Sequence, residues 1–471
     1  MSAMMTLQQA AAWLSDAQLH GDGDGTLSVL RVHTDTRTVE PGDLFVALQG
    51  ARYDANEFLR DAQQRGAVAV VCHAGLDMAC LPEGLPRIEV PNTKAALQAL
   101  AKAWRAQFTL PVIAVTGSNG KTTVTQMLAS ILNAQCPDGA ALATRGNLNN
   151  DIGVPLTLLR LRASHRMAVV ELGMNHPGEI ALLADMAQPT VALVNNAQRE
   201  HLEFMQTVHA VAEENGAVLR ALPQNGVAVF PADDAFTPLW QGLAAPRTVV
   251  QFASAAAASA DTMGCAGAQW AHGAWQVQAQ GLGVRLNYTL SIAGLHNVKN
   301  SLAAAACALA AGASPQAVEQ GLLAFVPVKG RSRAMEVVVD GRERTLIDDT
   351  YNANPDSVRA ASDVLAELPG PRLLVLGDMG EVGHEGPAFH AEAGRYAKAR
   401  GIEHFLAMGE LARVAVDVFP GALHFESVDD LNESVLALVP QVGSMLVKGS
   451  RFMRMERVVE SVVAHFSSEV H

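Results

Sequence analysis

Short apolar runs alternate with amphipathic stretches along most of the chain. The runs at 66–72, 112–115, 167–171 and 190–196 consist mainly of β-branched and small aliphatic residues, and polar residues, glycine or proline bound them. Such runs are typical of strands buried on both faces of a parallel sheet. The stretches between them carry apolar residues at helical spacing, so the pattern predicts an α/β protein.

Changes in this pattern divide the chain into three predicted domains. Residues 1–108 contain a small α/β pattern. Residues 109–329 contain the longest series of strands and helices, and the short β-rich runs at 248–292 predict antiparallel strands beside a mainly parallel core. Residues 330–471 open with a predicted β-hairpin and continue as a second open α/β unit.

Composition narrows the class of protein. Among 471 residues, 49% are hydrophobic and 17% charged, which is ordinary for a globular protein. The net charge of −13 argues against a nucleic-acid partner, which would need a basic face. Five scattered cysteines without CxxC spacing indicate reduced thiols, and no signal peptide is evident, so we expect a cytoplasmic protein.

The sequence contains no motif that indicates membrane insertion or oligomer formation. The most apolar helical stretch, at 302–313, is shorter than the roughly 20 residues that span a bilayer, so we expect a packed helix and no membrane insertion. Nothing in the sequence bears on oligomeric state, and a monomer is the working expectation.

Candidate chemistry appears at a glycine-rich turn between a predicted strand and a predicted helix. In Thr116-Gly-Ser-Asn-Gly-Lys-Thr-Thr123, backbone N–H groups and the helix dipole can hold phosphate oxygens. Lys121 would add a positive charge, and Thr122 a hydroxyl for Mg²⁺. Only two residues separate Gly117 from Gly120, whereas the usual phosphate loop has four, so an ordinary glycine turn is the alternative.

Two further candidates follow predicted strands. Glu171 ends the strand at 167–171, and a carboxylate beside a phosphate loop is a common Mg²⁺ ligand. His201 follows the strand at 190–196, in the region where parallel α/β sheets bind ligands. The alternatives are an ordinary strand-end residue for Glu171 and a structural histidine for His201.

Three polar groups allow a structural and a functional interpretation. They are the loop at 34–38, the asparagines Asn147, Asn149 and Asn150, and the set His296, Asn297 and Asn300. The loop can be a solvated turn, and closely spaced asparagines more often form turns than bind ligands. The third set can cap the following helix or contact a base.

Seven motifs, in order along nearly the whole chain, resemble those of the Mur ligases. They are Thr116-Gly-Ser-Asn-Gly-Lys-Thr-Thr123, Glu171-Leu-Gly-Met-Asn-His-Pro-Gly-Glu-Ile180, His201-Leu-Glu203, Gly294-Leu-His-Asn297 with Asn300, Asp348-Asp-Thr-Tyr-Asn-Ala-Asn-Pro-Asp-Ser357, Leu376-Gly-Asp-Met379 and Val447-Lys-Gly-Ser-Arg451. The second and fifth are the discriminating ones. They resemble members that add D-alanyl-D-alanine to UDP-N-acetylmuramoyl-tripeptide. Another Mur-type amino-acid ligase or a folylpolyglutamate synthase-like ligase is the alternative.

The resemblance implies three domains: an N-terminal UDP-substrate-binding domain, a central ATP-binding domain and a C-terminal Rossmann-like domain that binds the dipeptide. It also implies an ATP-dependent ligase whose tripeptide carboxylate becomes an acyl phosphate, which the dipeptide amine then attacks. That reaction is the final cytoplasmic step of peptidoglycan precursor synthesis. The sequence leaves open whether the tripeptide ends in diaminopimelate or lysine.

The resemblance further implies a site for ATP and Mg²⁺. Thr122 and Glu171 bind a first Mg²⁺, His201 binds a second, and Arg331 reaches the γ-phosphate when the C-terminal domain closes. The implied catalytic residues are Lys121, Glu171, His201 and Arg331. The implied ATP-binding residues are Gly117, Ser118, Asn119, Gly120, Lys121, Thr122, Thr123, His296, Asn297, Asn300, Arg331 and Asp349.

The implied substrate contacts fall into three sets. Thr36 and Arg37 lie against the UDP moiety, Asn147, Asn149 and Asn150 near the muramoyl peptide, and Tyr351, Asn352 and Asn354 around D-alanyl-D-alanine.

The chain departs from the family pattern at three places. Thr36 replaces a serine, and Tyr53-Asp-Ala-Asn56 replaces a common Asp-Gly-His. Asn215 stands where many Mur ligases have a lysine that is carbamylated to help place Mg²⁺, and no lysine occurs between Lys121 and Lys299. Either Asn215 with water does that work, or Glu213 or Glu214 supplies the charge.

Overall fold

The computed structural model describes residues 3–21, 26–50, 52–77, 81–256, 259–271 and 273–467. Within these residues the chain forms three main sheets, of five, nine and six strands, and helices flank each of them. The predicted three-domain α/β class is confirmed. Four cysteines are free, and Cys80 lies outside the described residues.

The first sheet is small and mainly parallel. Its unit comprises β1 (Met5–Thr6), α1 (Leu7–Ala12), β2 (Gln18–His20), β3 (Ser28–Val29), β4 (Arg31–His33), β5 (Asp43–Val46), α2 (Leu59–Gln64), β6 (Ala69–His73) and β7 (Arg87–Val90). The strand order is β2-β7-β6-β5-β4, and only the pair β2–β7 is antiparallel. Strands β5 and β6 are almost completely buried, as their apolar runs predict.

Helix α3 (Thr93–Arg105) leads into the central unit. The side chain of Asn92 caps it by accepting a hydrogen bond from the Ala95 amide, 2.9 Å away. Buried Arg105 donates to the carbonyls of Ala187 and Gln188, each at 2.9 Å. The end of α3 is therefore tied to the central unit.

The central unit is the largest. It comprises β8 (Val112–Thr116), α4 (Lys121–Gln135), β9 (Ala141–Ala143), α5 (Gly153–Leu158), β10 (Met167–Glu171), α6 (Glu179–Ala187), β11 (Val191–Val194), α7 (Leu202–Met205), α8 (Val208–Arg220), β12 (Val227–Pro231), α9 (Thr237–Ala244), β13 (Thr248–Ala253), β14 (Thr262–Ala271), β15 (Ala274–Gly281), β16 (Val284–Leu290), α10 (Leu295–Ala310) and α11 (Pro315–Leu323). Its strand order is β16-β15-β14-β13-β12-β11-β8-β10-β9.

The prediction of antiparallel strands over 248–292 is correct only in part. Strands β14, β15 and β16 form an antiparallel meander. Strand β13, however, pairs parallel with both β12 and β14. Helix α9 carries the chain back across the sheet before β13, which gives β13 the direction of β12. Apolar periodicity reports burial and contains no information on strand direction, so the sequence did not reveal this.

The Ala-rich helix α10 packs inside the protein, as expected. Every residue from 302 to 308 is fully buried. Among the described residues, no helix combines the length and hydropathy needed to cross a bilayer.

The third unit begins with the predicted hairpin. It comprises β17 (Arg333–Val339), β18 (Arg342–Asp349), α12 (Pro355–Ala366), β19 (Arg372–Gly377), α13 (Gly386–Ala399), β20 (His404–Met408), α14 (Ala412–Asp417), β21 (Leu423–Phe425), α15 (Val428–Leu438), β22 (Ser444–Lys448) and α16 (Glu456–Ser467). Asp340 and Gly341 both have positive φ, as a tight two-residue hairpin turn requires. The strand order is β17-β18-β22-β19-β20-β21, and all pairs after β17–β18 are parallel.

Candidate active site

A cavity of about 790 Å³ lies between the second and third sheets. Residues at or after the carboxyl ends of β8, β10, β11, β12, β18 and β22 line it, which is where open parallel sheets bind ligands. The predicted site residues that line it are Ser118, Asn119, Gly120, Lys121, Thr122, Thr123, Asn147, Asn149, Asn150, Glu171, His201, His296, Asn297, Asn300, Arg331, Asp349, Tyr351 and Asn352. Gly117, Asn354, Thr36 and Arg37 do not line it.

The glycine-rich turn is fitted tightly to its surroundings. Gly120 has φ of +83°, and a Cβ there would lie 2.6 Å from the Asn300 side chain, so only glycine fits. The amides of residues 117 to 119 donate within the protein, to Asn215 and Asn196. Helix α4 starts at Lys121, and its first N–H groups have no intrahelical acceptor. An anion would therefore bind mainly at the start of α4.

Lys121 is held beside the turn by three oxygens. Its Nζ donates to the carbonyls of Gly117 and Ser118, at 2.5 and 3.1 Å, and to Oε1 of Glu200 at 2.7 Å. The side chain is only 14% exposed. The positive charge therefore lies at the N-terminus of α4, in contact with the carboxylate of Glu200. Glu200 is not among the site residues predicted from the sequence.

Glu200 and His201 form a coupled, buried pair. Burial acts to raise the pKa of Glu200, but the Lys121 charge and the contact with His201 outweigh it and lower that pKa. Burial acts to lower the pKa of His201, but Glu200 and Glu381 raise it to about 9. His201 Nε2 lies 3.4 Å from Glu200 Oε1, and Nδ1 lies 2.5 Å from Glu381 Oε2. A metal ion at His201 would have to displace a proton, because imidazole binds metals in its neutral form.

Glu171 presents one oxygen that is already bonded and one that is not. Oε1 accepts from the Thr122 hydroxyl at 3.1 Å and from Asn149 Nδ2 at 2.8 Å. Oε2 is buried and has no hydrogen-bond partner among the described residues. A buried carboxylate oxygen without a partner, beside a hydroxyl, fits a hard cation such as Mg²⁺.

Groups of three or more His, Cys, Asp or Glu side chains placed to hold a metal are absent from the part of the chain that the structure describes. Mg²⁺ commonly uses one or two carboxylates and completes its shell with phosphate oxygens and water. The Thr122 hydroxyl and the unpartnered oxygen of Glu171 fit that requirement.

Arg331 links the third unit to the turn. Its Nη2 donates to the Thr122 hydroxyl at 3.3 Å, and its guanidinium carbon lies 4.0 Å from the centre of the Tyr351 ring. The aromatic face fixes the plane of the guanidinium. The two residues thus extend the third unit to the start of α4.

Asp349 is held by the buried Lys448. Lys448 Nζ donates to Asp349 Oδ2 at 2.6 Å and to the Asn352 carbonyl at 2.8 Å. The Ser332 amide donates to the other carboxylate oxygen at 3.0 Å. Sequence reasoning included Lys448 in a motif but gave it no role. Its position as a charged residue at the end of a buried strand was the available signal.

Asn354 and Arg199 form further contacts between the second and third units. Asn354 caps α12 by accepting from the Ser357 amide, and its Nδ2 donates to Asn119 Oδ1 at 3.0 Å. Arg199 donates to Asp356 at 2.6 Å and to Glu392 at 2.8 Å. Sequence reasoning missed the Arg199 pairs, because nothing local predicts partners more than 150 residues away.

The predicted adenine contacts are only partly open to the cavity. His296 is exposed there, whereas Asn297 and Asn300 are buried. Asn297 Nδ2 donates to the Ala293 carbonyl, and Asn300 Nδ2 donates to Asn297 Oδ1. Lys299, which also lines the cavity, pairs with Asp233 at 2.5 Å.

Two of the three asparagines at 147–150 that line the cavity also form hydrogen bonds within the protein. Asn150 accepts from the Gly153 amide at 2.8 Å and so stabilises the start of α5, as a turn-forming asparagine does. Asn149 contacts Glu171, and Asn147 is exposed.

The predicted UDP contacts lie outside the cavity. Arg37 pairs with Asp35 at 2.7 Å, and its side chain is 85% exposed. Hydrogen bonds from Arg37 lower the pKa of Asp35 to about 2. Thr36 is half-buried in the same short turn. Their roles toward UDP stay predictions.

Asn215 supports the glycine-rich turn from behind. Its Oδ1 accepts from the Gly117 amide at 2.8 Å and from the Thr116 hydroxyl, and its Nδ2 donates to the Val211 carbonyl. Glu214 accepts from the amides of Gly178 and Ile180. Glu213 is exposed, and none of these three acidic or amide side chains on α8 lines the cavity.

Comparison with protein families identifies three matching segments. Residues 29–105 match the Mur ligase family catalytic domain, 115–308 the Mur ligase middle domain, and 333–451 the Mur ligase glutamate ligase domain. The UDP-N-acetylmuramoyl-tripeptide–D-alanyl-D-alanine ligase of Escherichia coli is 40% identical over 94% of this chain and 96% of its own.

Solved structures agree with these matches. MurF from Acinetobacter baumannii superposes with a TM-score of 0.88 at 33% identity, over 97% of each chain. MurF from Thermotoga maritima, solved in complex with ADP, has a TM-score of 0.81 at 24% identity, over 93% of this chain and 98% of its own, and shows the shared fold. The resemblance that the motifs indicated is confirmed: this chain belongs to the Mur ligase family.

Proposed function

We propose that this chain is an ATP-dependent ligase that joins D-alanyl-D-alanine to UDP-N-acetylmuramoyl-tripeptide. The observation that carries the proposal is the contact between Arg331 and Thr122, which joins the phosphate-binding turn and the third unit in one cavity. Substrate identity follows from the relatives of that name, 31–40% identical over nearly the full chain.

The reaction brings together two anions, a peptide carboxylate and the triphosphate of ATP. The carboxylate attacks the γ-phosphorus, ADP leaves, and the resulting acyl phosphate is attacked by the free amine of the dipeptide, which expels phosphate. Positive charge must therefore concentrate where the anions meet. Lys121 supplies it from the central unit and Arg331 from the third unit, and Lys121 would exchange its contacts with Glu200 and the turn carbonyls for phosphate oxygens.

Mg²⁺ would be held at Thr122 and Glu171, and a second ion at His201. When bound, the ions neutralise phosphate charge and lower the cost of nucleophilic attack. The unpartnered Oε2 of Glu171 supports the first position.

Exclusion of water is the second task of the site, because an acyl phosphate hydrolyses. The third unit covers the turn through Arg331, Asn354 and the pair Arg199–Asp356. These contacts would hold the amine acceptor site of Tyr351, Asn352 and Asn354 against the phosphoryl site and turn the second step into an intramolecular one.

The remaining assignments complete the proposal. The domains span 1–108, 109–329 and 330–471. Thr36 and Arg37 bind UDP, Asn147, Asn149 and Asn150 lie near the muramoyl peptide, and His296, Asn297, Asn300 and Asp349 contact the nucleoside. The enzyme acts as a cytoplasmic monomer.

An amine-acceptor panel tests the function. Purified protein, ATP, Mg²⁺ and the UDP-linked tripeptide are incubated with D-alanyl-D-alanine, or with diaminopimelate, lysine or glutamate, and products are weighed by mass spectrometry. We expect a product heavier by one D-alanyl-D-alanine less one water, and none with the other amines. Addition of a single amino acid in place of the dipeptide would refute the substrate assignment.

A further inference from the structure

Glu200 is a strongly buried carboxylate beside the glycine-rich turn, and the proposed reaction steps give it no role. It is 5% exposed, lines the cavity, and follows β11 at the carboxyl edge of the central sheet. Its Oε1 contacts Lys121 and His201. Its Oε2 is buried and has no hydrogen-bond partner among the described residues.

A role as counter-ion of Lys121 explains only one of the two oxygens. Burying a carboxylate oxygen without a partner costs free energy, and the contact of Oε1 with Lys121 leaves Oε2 unsatisfied. Glu171, whose Oε1 accepts from the Thr122 hydroxyl, likewise has a buried Oε2 without a hydrogen-bond partner among the described residues. The cavity is thus lined by two buried carboxylates, each with one unpartnered oxygen.

Binding of ATP would increase the need for a cation at Glu200. Lys121 cannot contact the phosphates and keep its three present acceptors, so its release removes one of the two positive groups at Glu200 and leaves His201 as the other contact of that buried carboxylate. A divalent cation between Glu200, His201 and a phosphate oxygen would compensate both anions.

The acidic and amide side chains of α8 do not supply this charge. Asn215 already forms hydrogen bonds with the glycine-rich turn and with the Val211 carbonyl, and Glu214 already accepts hydrogen bonds from two amides at the start of α6. Glu213 is exposed and outside the cavity.

We propose that Glu200 is a direct ligand, together with His201, of the second divalent cation in this chain, and that Glu171 and Thr122 hold the first. This assignment rests on the proposed ligase function. It places the negative charge of the second cation site on a side chain of the β11–α7 connection, next to His201 in sequence, and leaves Asn215 a purely structural role.

Mn²⁺ binding in the presence of ADP tests the assignment of Glu200 as a metal ligand independently of catalytic turnover. Free Mn²⁺ is followed by electron paramagnetic resonance as it is titrated into wild type, Glu200→Gln and Glu203→Gln. Glu203 is an exposed carboxylate three residues away that does not line the cavity, so it is the matched control. We expect two Mn²⁺ per chain in wild type and the control, and loss of one, or at least a tenfold weaker second site, in Glu200→Gln.

Two Mn²⁺ of unchanged affinity in folded Glu200→Gln would overturn the assignment and leave Glu200 as a counter-ion. Should that variant fail to fold, as judged by circular dichroism, Glu200→Asp keeps the charge and withdraws it by one methylene. A several-fold weaker second Mn²⁺ in Glu200→Asp supports the assignment, and unchanged affinity overturns it. Dipeptide ligation by wild type is measured in parallel, so failure of the ligase proposal is distinguishable from failure of the Glu200 assignment.

Discussion

In the wall of the cavity that the central unit provides, side chains bind one another. Lys121 contacts Glu200, Glu200 contacts His201, and Thr122 contacts Glu171, all at the edge of a single sheet. The wall from the third unit is built differently, because its residues are fixed within their own unit and reach the first wall through Arg331, Asn354 and the pair Arg199–Asp356.

This difference between the two cavity walls suits them to different steps of the reaction. The central wall is held mainly within one unit, although His201 also contacts Glu381 of the third unit. It therefore keeps most of its geometry whatever the other units do, which suits nucleotide binding and phosphoryl transfer. Contacts made only between units depend on their arrangement, so they suit the joining step, which needs both substrates enclosed. Substitutions in the two walls should therefore change different steps.

The largest effect should come from Lys121→Ala in the central wall. We expect ligation to fall by at least about 10³-fold, because the charge that faces the phosphates is lost. Steady-state phosphate release measures it, with a thermal unfolding scan to establish that the fold is retained. Lys102→Ala, which removes an exposed lysine paired with Asp185, is the control and should turn over normally. Wild-type rates in Lys121→Ala would remove the turn from the mechanism.

Arg331→Ala should have the next largest effect and a different signature. We expect turnover to fall by about 10²-fold, because transition-state charge loses one partner, while the affinity for the UDP-linked tripeptide changes less than twofold. Isothermal titration gives the affinity and phosphate release the rate. Arg333→Ala, at an exposed arginine two residues further on, should alter neither. Equal losses in rate and affinity would place Arg331 in the binding of that substrate.

Loss of the Arg199 ion pairs should be milder. We expect Arg199→Ala to lower kcat/KM for the dipeptide by roughly tenfold and to leave ADP affinity unchanged, because partly exposed pairs contribute modestly to holding the units together. Raising the salt concentration should reduce the difference from wild type, since it screens the same pairs. Arg413→Ala, which breaks an exposed pair within the third unit, is the control. A loss of ADP affinity in Arg199→Ala would contradict the division of labour between the walls.

The smallest effect concerns stability. Asn215→Ala leaves the Gly117 amide and the Thr116 hydroxyl without their buried acceptor, so we expect the central unit to lose about 1–3 kcal/mol. Thermal unfolding monitored by circular dichroism measures the shift. Glu213→Ala, at an exposed position of the same helix, should stay within about 0.5 kcal/mol of wild type. A stable Asn215→Ala protein with reduced Mn²⁺ binding would instead return Asn215 to the metal site.

The sequence was most informative where a function is encoded locally. The turn at 117–123 could be predicted because a strand, a glycine-rich turn and a helix are consecutive, and the position of Glu171 could be predicted because it ends a short apolar run. The contacts of Glu200 with Lys121 and of Lys448 with Asp349 could not, because their partners lie 79 and 99 residues apart and only the sheet order brings them together.

Two other features were also beyond the sequence. The parallel direction of β13 leaves no trace in an apolar pattern, because both directions bury the same residues. The role of Asn215 could not be predicted because a side-chain amide can bind a metal ion, a water molecule or backbone groups. Which of these it binds depends on its surroundings in the fold.

Phosphate release with each substrate omitted in turn tests the central claim most directly. With ATP, Mg²⁺ and the UDP-linked tripeptide, we expect little steady release until D-alanyl-D-alanine is added, and then one phosphate for each dipeptide consumed. Steady release of equal rate without the dipeptide, or without the tripeptide, would show an ATPase in place of a ligase and would contradict a site completed by both walls.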